Sequence, residues 1–251
     1  MRPKWSTLLM IASIAMAAVL LLMAVFMNAV LSEYMALLSF ILVVLIICVI
    51  FAKFEESAMT SREVALIGIL AAITAAARIP FAAIPNVQPC TFLIIAIGLV
   101  FGSLAGAMVG SLTAAISNIF LGQGPWTAWM MVAWSMVGIV AGYVGKKWPN
   151  YDVKDLVILG VLLGVAYQLL MDFSSWITFY GAKPDTFIGT FALGLPFMAL
   201  HVIGNVVFAV VLGKPVLALF KRFHNRFHVS YETSAVEGAR EGERAPGNPA
   251  E

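Results

Sequence analysis

Asp172 and His201 are the side chains here best suited to carry a proton or grip a polar solute, and both stand in runs otherwise made for hydrocarbon. Gln168, Asp172 and Trp176 recur every four residues and so share one face of a helix; His201 and Asn205 share a face of the next. Ionisable and amide groups at membrane depth are costly, so they face a cavity or one another. Upstream, the stretch SNIFLGQGPWTAWMMVAW gathers Asn118, Gln123, Trp126, Trp129 and Trp134 inside a region, Ile79 to Gly145, without a charged side chain. These types suit recognition better than bond making. Trp126, Trp129, Trp176 and Tyr180 offer flat faces for a conjugated ring, and Asn86, Gln88, Asn118, Gln123, Asp172, His201 and Asn205 offer hydrogen bonds. An Arg78 to Asp172 ion pair, a core histidine and interfacial tryptophans are the plainer readings of each residue alone; the cluster together reads as a pocket.

Catalytic and metal signatures are missing from the sequence. It holds no GxSxG nucleophile turn, no HExxH helix and no Gly-rich Walker loop, so it reads as a non-enzyme without a cofactor of its own. Cys48 and Cys90 lie in separate segments with neither CxxC nor ligand spacing, and read as unpaired packing thiols. A proton-coupled carrier using Asp172 and His201 as a relay is the alternative from another class, although the internal repeats common in such carriers are not visible.

The elements that must position these groups are transmembrane helices. The chain is 62% hydrophobic and 11% charged, and its charge-free runs reach the roughly 20 residues that span a bilayer. The first run, after Arg2 and Lys4, is too long for a secretory h-region and reads as a retained anchor. Hydropathy predicts eight helices, near Ser6 to Val30, Tyr34 to Ala52, Glu63 to Phe81, Thr91 to Phe101, Gly102 to Phe120, Trp126 to Gly145, Asp155 to Tyr180 and Phe187 to Phe220. Thr91 to Ile119 as one helix would measure roughly 43 Å, against about 30 Å of hydrocarbon. Lys and Arg collect on cytoplasmic loops, and only the two-helix reading puts Lys146, Lys147 and Lys154, and the chain's end with Lys214, on the side of Arg2, Lys4, Lys53 and Arg62. Both termini are then cytoplasmic, and the loops 80–90, 121–125 and 181–186 lie outside.

Gly98, Gly102, Gly106, Gly110 and Ala114 form a four-residue series best read as internal packing. In ALIGILAAITAAAR a second small-residue series, with Ala71, Ala72, Ala75 and Ala76, suits internal packing or a partner's helices equally. The basic run KRFHNRFH, with His224 and His228, suits membrane lipid headgroups, and the Gly, Glu and Pro-rich end reads as a disordered tail. Nothing in the charge pattern suggests a nucleic-acid partner.

The run NVQPCTFLIIAIGLVFGSLAGAMVGSLTAAISNIFLGQGPWTAWMMVAWSMVGIVAG, with LPFMALHVIGNVVFAVVLGKPVLALFKR further on, resembles the substrate-binding (S) components of energy-coupling factor (ECF) vitamin transporters. The resemblance implies an all-α membrane protein with a six-helix core, residues 57–222; hydropathy and composition add an extra two-helix hairpin in 1–56 before it and a cytoplasmic tail, 223–251, after it. It implies a vitamin or similar micronutrient captured from outside under the three outer loops. It also implies a transmembrane coupling subunit on an AxxxA face mapping to Ala71 and Ala75, with Ala72 and Ala76 alongside, and two separate ATPase subunits that use ATP. The GQGPW type of loop is similar to that of members associated with cobalamin-like ligands. Two departures stand out: the N-terminal helical pair has no counterpart in a six-helix member, and Asp172 replaces a neutral amide.

Overall fold

The computed structural model describes residues 5–25, 29–57 and 59–244. Among these the protein is built of α-helices and short 3-10 turns: α1 (Trp5–Val25), α2 (Ala29–Glu55), α3 (Ser61–Arg78), α4 (Cys90–Phe101), α5 (Ser103–Leu121), α6 (Pro125–Lys147), α7 (Val153–Tyr180) and α8 (Phe187–Arg244). Among the described residues six helical segments are long and apolar enough to cross a membrane; α4 is shorter. This is a membrane protein.

Local chemistry sets several boundaries. Thr60 caps α3, accepting from the Glu63 N–H while the Glu63 carboxylate accepts from the Thr60 N–H, and Asp152 and Asp155 do the same for α7. Pro125 opens α6, where its missing N–H costs nothing. The α4–α5 break falls at Gly102, whose φ of +90° is open to glycine and strained for other residues. Thr91 and Gly110 both meet Trp134, and Gly98 and Gly106 both meet Gly138, so α4 and α5 fold back on one another about Gly102. Two short helices therefore replace the single tilted span.

The Gly98, Gly106 and Gly110 series is internal packing, as expected. A β-carbon at Gly106 would lie 2.7 Å from the Gly138 carbonyl oxygen, and Gly110 meets the Trp134 backbone in the same way. Helices α5 and α6 thus touch backbone to backbone over several turns, an approach open only to small residues. Helix α3 packs on α5, α7 on α8, and α2 mainly on α6 with further contact to α5 and α7. The hairpin of α1 and α2 is latched at one end, where the Ser6 N–H and hydroxyl donate to the Glu56 carboxylate at 3.1 and 2.6 Å.

Two expectations need correction. Helix α8 continues to Arg244, past the apolar boundary at Phe220, where an unstructured tail was expected. The helix formers Glu, Ala and Arg recur there without proline until Pro246, and local propensity extends the helix beyond the hydropathy signal. On α3, Ala71 and Ala75 are fully buried in the chain's own core, whereas Gly68, Ala72 and Ala76 are exposed. The adjoining stripe, one residue on, is the open one.

Candidate functional site

At the end of the bundle where α3, α5 and α7 finish, a cavity of about 460 Å³ opens among α3, the α3–α4 loop, α6, α7 and α8. Of the residues expected at a site, it is lined by Asn86, Gln88, Trp126, Asp172, Tyr180 and His201. The volume falls within the range typical of small-molecule sites.

One wall is a stack of rings. Trp134 lies on Tyr167 at 5.4 Å between centroids and 18° between planes, and Tyr167 lies on His201 at 4.9 Å and 16°. Buried Thr91 ties the ends of the stack together: its hydroxyl accepts from Trp134 Nε1 at 3.0 Å and lies 3.0 Å from His201 Nε2. His201 Nδ1 is 3.2 Å from the Asn86 carbonyl oxygen, which can only accept. The proton of a neutral imidazole therefore sits on Nδ1, and Nε2 accepts from Thr91.

Arg78 caps this stack, its guanidinium carbon 5.3 Å from the Trp134 ring centroid. Nε donates to Gln88 Oε1 at 2.7 Å, and Nη1 donates to Ser117 Oγ at 2.7 Å and Asn118 Oδ1 at 2.6 Å. Asn118 in turn donates to Thr127 Oγ1 at 2.9 Å, joining α3, α5 and α6. The SNIFLGQGPW stretch thus holds the arginine through Ser117 and Asn118 and presents Trp126 to the cavity. No ion pair joins Arg78 to Asp172 among the described residues.

Asp172 faces the cavity from α7. Its Oδ1 accepts from Gln168 Nε2 at 2.7 Å; its Oδ2 is buried without a partner. Gln168 Oε1 accepts from Asn86 Nδ2 at 2.9 Å, and Asn86, at φ +57°, also donates to the Phe197 carbonyl at 3.3 Å. Gly194 on α8 lies so close to the Asp172 carboxylate that any side chain there would displace it. No hydrogen bond links Asp172 to His201, since Gln168 and Asn86 stand between them.

Five expected residues, Asn118, Gln123, Trp129, Trp176 and Asn205, lie outside this lining. Asn118 positions Arg78. Gln123 donates to the Ala115 carbonyl at 3.1 Å, pinning the α5–α6 turn. Trp129 is buried away from the cavity, edge-on to Phe173 at 6.4 Å, and Trp176 donates from Nε1 to the Lys183 carbonyl at 2.9 Å, closing the α7–α8 turn. Asn205, one turn deeper than His201, packs on Gly160 and Gly164 of α7 and donates to the Gly160 carbonyl.

Helix periodicity locates most of the lining residues absent from the expected set. Trp126, Met130 and Trp134 follow at four-residue steps on α6; Gln168, Met171, Ser175 and Phe179 share the Asp172 face of α7; Thr190, Gly194 and Phe197 lead to His201 on α8. Tyr167 carried no polar-residue signal and emerges through its stacking.

A family model described as the ECF-type riboflavin transporter, S component, matches residues 58–222. The chain belongs to this family. No solved structure matches it. As an S component it is a substrate-specific membrane subunit of an ECF transporter, the partner of an ECF module and of a small vitamin ligand. Among the described residues no group of His, Cys, Asp or Glu is placed to hold a metal ion. Cys48 is exposed and Cys90 buried, both free. The matched segment begins just after α2, so the N-terminal hairpin lies outside it.

Proposed function

We propose that this chain captures riboflavin or a closely related flavin from the extracytoplasmic side, in the cavity between the Trp134–Tyr167–His201 stack and α7, for uptake driven by ATP hydrolysis in two partner subunits. The observation that carries this reading is the pairing, around one cavity, of a guanidinium with a buried carboxylate oxygen that has no partner. A flavin has a flat three-ring system for the aromatic wall, carbonyl acceptors for Arg78, and imide N–H or polyol O–H donors for Asp172. Satisfying the orphan oxygen is worth more than an ordinary hydrogen bond, because the acceptor is already desolvated and otherwise stays unpaired. The cavity volume of about 460 Å³ favours a flat ring system over the far bulkier corrinoid that the GQGPW loop suggested. Charge placement supports eight crossings with the cavity facing outward and both termini inside.

The coupling subunit docks in this reading on the exposed Gly68, Ala72 and Ala76 stripe of α3, where small side chains let a second helix approach closely. Ala71 and Ala75 support that face from within. Reorientation of the bound S component by its partner then delivers the ligand inside.

Riboflavin titration of the detergent-purified chain, read by flavin fluorescence, tests the assignment. Wild type binds, and Asp172→Asn weakens binding about tenfold or more, because the amide sets a donor against the ligand's donor. Corrinoid binding without riboflavin binding, or an unchanged Kd in Asp172→Asn, overturns it.

A further inference from the structure

We infer that the N-terminal hairpin is a positioning element of the ligand cavity: α2 holds the outer ends of α6 and α7 and the α7–α8 turn in the geometry that retains ligand. This rests on the flavin reading for its ligand arm alone.

Val43 of α2 is almost wholly buried in one apolar cluster with Trp129 and Val132 of α6, Ile177 of α7 and Ala182 of the α7–α8 turn. Met171 packs against that cluster from one side and lines the cavity with the other. Phe179 and Tyr180, immediately before the turn, line the cavity, as does Thr190 beyond it.

Among the described residues the hydrogen bonds of the turn are local. Gly181 and Ala182 are consecutive left-handed residues, at φ +61° and +56°, a conformation that alanine adopts reluctantly. The Ala182 N–H donates to the Trp176 carbonyl at 3.1 Å, and the Trp176 indole N–H donates forward to the Lys183 carbonyl. Both bonds fix the turn to α7, and apolar burial of Ala182 and Ile177 in one cluster with Val43, Trp129 and Val132 fixes it to the rest of the bundle. Tertiary packing is therefore what selects the closed turn, and one of the packing partners, Val43, belongs to a helix outside the family-matched segment.

The test uses the full-length chain with Val43→Ala, with Val43→Ile as the conservative rescue and Val44→Ala, on the exposed side of the same helix, as control. In ligand-free protein, hydrogen exchange at the Ala182 amide rises about tenfold in Val43→Ala, and is restored in Val43→Ile. Riboflavin release measured by fluorescence recovery accelerates about tenfold in Val43→Ala while association stays within about twofold. Unchanged exchange, or an equal effect of Val44→Ala, overturns the inference. Faster exchange with unchanged release overturns the claim on ligand retention. If wild type binds no riboflavin, the flavin reading fails and the exchange measurement alone decides the role of α2.

Discussion

The two ends of this bundle are held together by different physics. At the cavity end, helices are joined through polar side chains that cross between elements: Arg78 to Gln88, Ser117 and Asn118, Asn86 to Gln168, and Thr91 to Trp134 and His201. Toward the opposite end, α4, α5 and α6 meet through glycine backbones, and the rim is clamped by aromatic rings and cations. There Phe101 packs on Phe220 and His224, Lys147 lies over Trp148, and Lys221 lies 4.2 Å from the Tyr151 ring centroid and donates to the Tyr151 carbonyl at 3.2 Å. Glycine contacts bring the helix backbones together by close packing. Polar crossings gather side chains around the cavity, where one Asp172 oxygen is buried without a hydrogen-bond partner.

The sharpest way to break this contrast is Gly138→Leu. Its side chain would meet the Gly106 backbone, which cannot yield as a flexible side chain can, so the folded state should lose more than about 3 kcal/mol. Thermal unfolding in detergent would show a collapse of the transition, whether or not ligand is present. A transition within a few degrees of wild type would mean that the α5–α6 approach is not rigid.

Arg78→Met tests the other end. It removes the donor to three acceptors and leaves them facing an apolar chain, so ligand affinity should fall about a hundredfold, near 2.7 kcal/mol. The glycine-packed half should stay intact, with far-ultraviolet circular dichroism unchanged. Loss of helix content in this variant would show that the polar network holds the fold as well as the ligand.

The smallest effect belongs to Lys221→Met. It removes one carbonyl bond and a cation–ring contact at the rim, worth about 1 kcal/mol together, and should lower the melting temperature slightly with no change in Kd. A shift in affinity would show that the rim communicates with the cavity.

Helix character, apolar length and the family were legible because they depend on runs of residues. The Gly102 break was legible too, from length and charge, as were six of the cavity residues. Side-chain roles were read less well where two stripes of a helix differ by one position. Ala71 and Ala72 are equally small, and only the packing of α3 on α5 decides which is buried. Trp126 and Trp129 are three residues apart in one motif, yet one lines the cavity and the other packs with α2.

By itself, then, the sequence determined that this chain is a helical membrane protein of the ECF S-component family, since hydrophobic length, basic-residue placement and motif are properties of the chain in order. Only the tertiary structure decided that Arg78 is held by Ser117, Asn118 and Gln88 and not paired with Asp172. It also decided that Trp134, Tyr167 and His201 form one stack and that α2 packs on α6 and α7. These facts depend on the rotation and depth of helices far apart in sequence. A rotation of one residue about a helix axis, about 100°, changes which side chains meet while leaving hydropathy untouched.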